Sequence, residues 1–430
     1  MRWYISWPKV ISGCALINLA LVNLGLTHLG SSNLGDFTAP TLVSVPGRVN
    51  LIGEHIDYHD LPVLPMAIQR RVRITFHPRA DTMVRAISSG VYGKREFALA
   101  RDLEPGPIGD WGNYLKAAAQ AALGRWPLQR GIDAMIDSDL PAAAGLASSS
   151  ALLAGFTLAL LQANRILATV GDLMDILPDG EQFVGTRGGG MDHAAVLASR
   201  AGCALLVRFA PLELSSIAVP PDWRVLVAHS LTMAEKSGAA RSEYNARRTA
   251  GTRALTALGL PSYPSAVETY SARELTAMAE AAVAEHRLAP DEFRAFIHVT
   301  SEAERVNKAV AALRQADVRT FGQLLSQSHV SLRDNLRVSA PALDELVETA
   351  IAAGALGARL TGAGFGGCAV ILCRAAEVDR VRKRLVDRYY SQRPGFDPEN
   401  HLIMAERSAG ALYDTSEPSK TEQPPLGAGL

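Results

Sequence analysis

Mixed strands and helices, in a chain long enough to divide into two domains, are what this sequence predicts, and three observations carry the prediction. A chain of 430 residues, 48% hydrophobic and 20% charged, can bury a large core and has the make-up of a soluble globular protein. The flanks Val43-Ser-Val45 and Val63 to Ile68 read as strands around a polar segment. An alternating run, Ile132, Ala134 and Ile136, leads through a loop of small residues into Leu152 to Leu167, apolar nearly all round and hence a buried helix. Lysine plus arginine equals aspartate plus glutamate at 43 each, so the charge balance points to neither nucleic acid nor an anionic membrane. Four cysteines (Cys14, Cys203, Cys368, Cys373) show no metal-ligand spacing with histidines, which fits a reduced cytosolic protein.

Residues 1–38 read as an N-terminal extension. Arg2 and Lys9 precede the apolar-leaning run Val10 to Leu29, but Asn18, Asn23, His28 and two glycines interrupt it, and no small-residue cleavage site follows. A weak membrane anchor is the alternative reading. The segment that follows is richer. Arg48, Glu54, His55, Asp57 and Tyr58 fall within eleven positions, with Gly53 among them and Val49, Leu51 and Ile52 between. An exposed hairpin would not need the apolar residues, and a core strand would not tolerate so many chargeable ones. Two carboxylates and an imidazole in one loop can bind several hydroxyls of a polyol, and Arg48 supplies a fixed cation.

Farther along, Arg71 to Phe76 and Thr82 to Ile87 alternate as strands do, and Trp111-Gly-Asn-Tyr114 opens an alanine-rich helix to about Leu123. The loop Gly145, Leu146, Ala147, Ser148, Ser149, Ser150, Ala151 lies between a strand and a buried helix. There, free backbone N–H groups and the positive end of the helix dipole converge on an anion, and small side chains let a phosphate approach. Three successive serines exceed what capping requires. No GxxxxGK[ST] occurs, which argues against a Walker-type loop. Glu181 precedes a glycine triplet, Gly188 to Gly190, that permits close backbone approach and presents Asp192 just before an apolar run. Phe209 to Pro221, with Pro211, Pro220 and Pro221, reads as the join between domains. Trp223 to His229 is a strand, Ser242 to Arg248 lies in a helical stretch, and helical periodicity runs from Leu275 to Gln327. Gly362, Gly364 and Gly367 satisfy GxGxxG, with Gly366 beside them, but a strand follows where a dinucleotide fingerprint needs a helix. A glycine hairpin with backbone donors near a phosphate is the better account. The tail from Thr415 is Pro-rich and polar, and disorder is expected there.

Taken in order, these segments resemble the galactokinase family, part of a superfamily that also phosphorylates homoserine, mevalonate and phosphomevalonate. Val45 to Ile68 resembles its sugar-binding signature and the 141–151 loop its Pro-x-x-x-Gly-Leu-x-Ser-Ser motif, with Ala147 in place of a first serine. Gly-x-Met-Asp, Ser-Glu-Tyr-Asn-x-Arg-Arg and the glycine hairpin complete the match over about residues 38 to 412. The resemblance implies an α+β, two-domain kinase with its active site between the domains: residues 39–210 N-terminal, 211–414 C-terminal, 415–430 a tail. It implies ATP as co-substrate, Mg²⁺, and transfer to the anomeric hydroxyl of galactose, in the cytoplasm and as a monomer. Asp192 is expected to take the sugar proton, with Arg48 neutralising charge and holding Asp192 ionised. Glu54, His55, Asp57, Gly190 and Tyr244 are expected to grip the sugar. Gly145 to Ala151 would cradle the phosphates with the hairpin Gly362, Gly364, Gly366 and Gly367, Trp111 would sit by the adenine, and Ser149 and Glu181 would hold Mg²⁺. The sugar loop departs from the common Glu-His-Thr-Asp-Tyr-Asn-Gly-Gly at Ile56 and at His59 to Pro62. N-acetylgalactosamine and, farther behind, galacturonate therefore stay open as substrates, as does a non-catalytic sugar sensor.

Overall fold

The computed structural model describes residues 40–90, 92–141, 144–185, 188–232 and 239–413. The expected extension and tail lie outside them. Strands β1 (Thr41–Ile52), β2 (Leu64–Pro78), β3 (Met83–Ser88), β4 (Lys94–Ala98) and β5 (Ile132–Ser138) come first, and β6 (Cys203–Phe209) and β7 (Leu212–Ala218) form a hairpin. They are followed by β8 (Trp223–His229), β9 (Gly357–Thr361), β10 (Cys368–Arg374), β11 (Leu402–Ala405) and the short β12 (Leu412–Tyr413). Two larger sheets result, one of six strands in the order β12-β1-β2-β5-β3-β4 and one of four in the order β11-β8-β10-β9. All pairings are antiparallel except β3 with β5.

The helices are α1 (Gly112–Arg125), α2 (Ser148–Ala163), α3 (Val170–Phe183), α4 (Met191–Ala198), α5 (Ala239–Ala257) and α6 (Tyr263–Thr269). Then come α7 (Ala272–Ala284), α8 (Pro290–Arg314), α9 (Val318–Ser331), α10 (Pro341–Ala352), α11 (Val378–Leu385) and the single turn α12 (Pro398–His401). The apolar α2 crosses β1 and β2, and Gly155 brings it close. A Cβ there would stand 3.1 Å from both Val45 and Ile74 side chains. With one face under α2, β1 is buried from Val43 to its end, the polar Ser44, Arg48 and Asn50 as well as the apolar Val43, Val45, Val49 and Leu51 between them.

One apolar cluster runs from Val45, Ile52 and Leu64 of the first sheet to Val227 and Val370 of the second, so the two halves share a core. Each fully buried side chain of this size contributes about 1.5–3 kcal/mol relative to exposure. The polar loop is therefore hung between two sheets that cannot separate without opening apolar surface.

Two expectations about the halves need correction. The join expected over 209–221 is mostly the β6–β7 hairpin, with Phe209 opposite Leu212; the chain reaches the second sheet only between Ala218 and Trp223. β7 faces solvent along most of its length, so it lacks the apolar alternation that marks a strand. The end of the expected 211–414 domain also does not stay with the second sheet. After β11 the chain returns, and β12 pairs with β1. Buried Arg71 fixes this return by donating to the carbonyls of Ser44, Ala409 and Gly410. Among the described residues no helix is long and apolar enough to cross a membrane.

Candidate functional site

β1 carries the first functional side chain. Register shifts between Pro46 and Arg48 and between Asn50 and Ile52 bend the strand on either side of Arg48 and re-aim it. Arg48 is 4% exposed, and its Nε and Nη2 stand 2.7 and 2.6 Å from Asp192 Oδ1. Its Nη1 donates to the Gly145 carbonyl at 2.6 Å, and its backbone N–H donates to Leu146 O. Burial works against this cation, but the charges of Asp192, Glu54 and Asp57 outweigh it and raise the guanidinium pKa further. One arginine thus joins the serine loop to the aspartate 144 residues away. Both guanidinium contacts fall on Oδ1, and among the described residues no hydrogen-bond partner stands at Asp192 Oδ2, on a side chain that is 26% exposed.

Asp192 lies in the first turn of α4, whose N-cap, Gly190, has φ of 104°. Before it, Gly189 presses on the 53–63 loop: a Cβ at Gly189 would lie 2.3 Å from Asp57 C and Tyr58 N. Met191 N donates to Asp57 Oδ2 at 3.4 Å. The triplet therefore sets two carboxylates, Asp57 and Asp192, side by side. Burial pushes the Asp57 carboxyl up to about 7, helped by the charges of Asp192 and Glu54. From α5, Tyr244 brings its ring within 5.1 Å of His55 and 5.7 Å of Tyr58, and burial holds its hydroxyl protonated well above the ordinary range.

Glu54 and His55 have a second occupation. Glu54 Oε1 accepts from Gly362 N at 2.6 Å and Thr361 Oγ1 at 3.1 Å, and Oε2 accepts from Asn50 Nδ2 at 3.0 Å. Of about four lone-pair sites on a carboxylate, one on Oε2 is left. His55, with φ of 62°, meets the Ala363 carbonyl through Nε2 at 3.2 Å and the Tyr58 hydroxyl through Nδ1 at 2.9 Å. Burial pushes its pKa down to about 3, so the ring is neutral, with Nε2 donating and Nδ1 accepting. His55 could meet a ligand only by giving up one of these bonds.

The serine loop enters α2 through Ala147 in the left-handed region (φ 60°), and no side chain caps the helix. Its first N–H groups therefore have no intrahelical acceptor. Ser148 and Ser149 are half-buried at this end, while Ser150 is buried and donates to Glu181 Oε1 at 2.5 Å. The hydroxyl that meets Glu181 is thus that of Ser150, one residue beyond the Ser149 expected beside it. A carboxylate with hydroxyls at a helix N-terminus suits a hard cation that takes its other ligands from phosphate and water. The glycine hairpin lies against this loop, backbone to backbone: a Cβ at Gly362 would stand 3.0 Å from Gly145 O, and one at Gly367 3.2 Å from Ala144 O. Trp111 stands apart from these groups. Its indole donates to the Tyr92 carbonyl, and the Arg95 guanidinium lies 5.6 Å from its ring.

A buried layer beneath the loop escapes sequence reasoning. Arg359 on β9 is fully buried and donates from Nη1 to Asn50 O and Leu51 O, with Nη2 3.3 Å from Glu54 Oε1. Glu302 on α8 is fully buried, accepts from Gly53 N and Ser328 Oγ, and pairs with Arg305. His298 Nε2 meets Glu54 O. The available signals are weak ones: a charge inside the apolar strand GARLT, and a glutamate on the apolar face of a helix.

Against known families, residues 33–78 match the galactokinase galactose-binding signature, 113–200 the N-terminal domain of GHMP kinases and 309–392 their C-terminal region. A galactokinase of Chloroflexus aurantiacus is 38% identical over 356 residues, which span 81% of this chain and 88% of that protein. A human galactokinase is 36% identical over 357 residues, 81% of this chain and 87% of its own. Among solved structures, Lactococcus lactis galactokinase complexed with galactose superposes with a TM-score of 0.79 at 26% identity, covering 91% of this chain and 99% of that one. The L. major mevalonate kinase, at 20% identity and a TM-score of 0.56, shares the fold over 87% of this chain and 97% of that one.

Proposed function

The chain belongs to the galactokinase family, and we propose that it transfers the γ-phosphoryl group of ATP to the anomeric hydroxyl of galactose. The observation that carries the reading is Arg48, which holds Asp192 with two nitrogens and the serine loop with a third. Phosphoryl transfer asks mainly for positioning and charge stabilisation. Asp192 Oδ2 accepts the proton of the anomeric hydroxyl as its oxygen attacks the phosphorus, and the leaving group departs as ADP. Asp57, the Gly190 backbone, Tyr244 and the remaining Oε2 site of Glu54 bind the other hydroxyls, while His55 keeps the loop in shape. Gly145 to Ala151 receive the phosphates on the N-terminal N–H groups of α2, with the hairpin Gly362, Gly364, Gly366 and Gly367 closing over them. Trp111 is assigned to the adenine side. Ser149 and Glu181 would hold Mg²⁺, which would supply positive charge to offset that of the phosphates.

The test is a panel of galactose, N-acetylgalactosamine and galacturonate with ATP and Mg²⁺, the product identified by phosphorus NMR. Galactose 1-phosphate is expected as the favoured product. A clear preference for N-acetylgalactosamine would overturn the sugar and leave the kinase. Absence of sugar-dependent ATP consumption would overturn both.

Two expected results follow from the site's chemistry. Hydroxyls that donate to Asp57 need its carboxylate, yet in the free protein its pKa is about 7. Galactose binding should therefore release a proton below that pH, and affinity should rise from pH 6 to pH 8, by at most about tenfold per unit on the acid side. Calorimetry in two buffers of different ionisation heat reads both effects, and Asp57→Asn should lose them; a flat affinity would remove this role. Ser150 positions Glu181, so Ser150→Ala should weaken Mg²⁺ binding by about 10-fold or more. Mn²⁺ titration followed by EPR checks it, and unchanged metal affinity would release Ser150 from the site.

A further inference from the structure

Resting on the kinase reading above, we propose that Arg359 is a positioning residue through which the sugar site and the nucleotide site are energetically coupled. Three contacts make one continuous link. At the first, Arg359 crosses from β9 to fix the backbone of Asn50 and Leu51, immediately before the loop, and stands 3.3 Å from Glu54. At the second, Glu54 grips the hairpin through Gly362 N and Thr361 Oγ1, while His55 grips the Ala363 carbonyl. At the third, the hairpin lies on the serine loop so closely that a Cβ at Gly145 would stand 3.0 Å from Thr361 O.

Thr361 closes the circuit, because its hydroxyl also accepts from Asn50 N at 3.1 Å. Arg359, Asn50, Glu54, His55 and Thr361 are buried, with Ala363 and Gly145 half-buried at the edge, so the central bonds of the link cannot be traded for water. A change in the loop that follows sugar binding must move Glu54 and His55 against the hairpin, or be resisted by it. The hairpin in turn bears on the loop that receives the phosphates. Arg359 meets the sugar site only from behind, through Glu54 Oε1, and holds the end of β1 and the start of the hairpin at one distance.

Such a link has a thermodynamic signature. The affinity for one ligand depends on whether the other is bound, by the same factor in both directions. The full-length protein is titrated by calorimetry with an ATP analogue carrying an imido bridge between the β- and γ-phosphates, with and without saturating galactose, and then with galactose, with and without the analogue. Wild-type turnover of galactose is measured first, so that failure of the kinase reading is seen separately. The expected wild-type coupling is about 5- to 150-fold.

In Arg359→Lys, which keeps the charge but loses the planar fork, the coupling should fall toward one. Each single-ligand affinity should change by less than that. Thr361→Val, a near-isosteric loss of one hydroxyl, should lower it in the same direction and serves if the buried lysine does not fold. A merely structural role would lower the melting temperature and leave the coupling factor alone. Wild-type coupling in either folded variant, or no coupling in the wild type, overturns the proposal.

Discussion

Asp192→Asn is expected to lower kcat for galactose by roughly 10²-fold or more while the protein still folds and binds nucleotide. Asparagine has the shape of aspartate, and its amide oxygen can still meet Arg48 Nε and Nη2. The bond from Arg48 Nη1 to Gly145 O does not involve Asp192, so the serine loop keeps its anchor. What disappears is the second carboxylate oxygen, the one left open and assigned to the sugar proton. Loss of a positioned general base costs about 10²- to 10⁴-fold. An interaction made only in the transition state lowers kcat and kcat/KM together. Calorimetric affinity for the ATP analogue should stay within a few-fold of wild type. A kcat within a few-fold of wild type would remove Asp192 from proton transfer.

That aspartate was legible before any fold was known, because glycines followed by a carboxylate at the edge of an apolar run have a local physical meaning. So do a strand, a small-residue loop and a buried helix, and all of these stand where expected, in β5, α2, α4 and the turn between β9 and β10. Long-range partnerships were not legible. Arg359 and Asn50 are 309 residues apart, and Glu302 and Gly53 are 249 apart, so no local pattern announces them. The segment that follows the Val43–Val45 flank reads as polar because of Arg48 and its neighbours, yet it is strand as far as Ile52. Arg48 is tolerated there because the serine loop and α4 satisfy it, and the Asn50 backbone and Nδ2 are met by Thr361, Arg359 and Glu54; partners of that kind are invisible one-dimensionally. The same holds for Ser150, whose match to Glu181 depends on how α2 and α3 face each other.

The glycine triplet offers the second large effect. Gly189→Ala is expected to lower kcat/KM for galactose by about 10²-fold, though the added group is a single methyl. That methyl would fall 2.3 Å from the Asp57 carbonyl carbon and the Tyr58 nitrogen, and 2.7 Å from the Asp57 side chain. All of the nearest atoms belong to the backbone or to a short buried side chain, so no flexible group can swing aside. Relief requires the 53–63 loop to move outward or the triplet to move back. The loop is tied below by Glu302 at Gly53 and by Glu54 at the hairpin; the triplet leads within three residues to Asp192. Either displacement changes the distance between Asp57 and Asp192, and misplacement of about 1 Å at a reacting geometry can cost 10²-fold. The backbone of Gly189 is not in the left-handed region, so the penalty is contact and not dihedral strain. Gly124→Ala, on α1 with nothing within 4 Å of its Cβ position, is the matched control and should leave kinetics unchanged. Steady-state kinetics on both variants, with melting temperatures alongside, decide the matter. Wild-type kcat/KM in Gly189→Ala would mean that the loop yields without cost and that the triplet does not set the spacing of the two carboxylates.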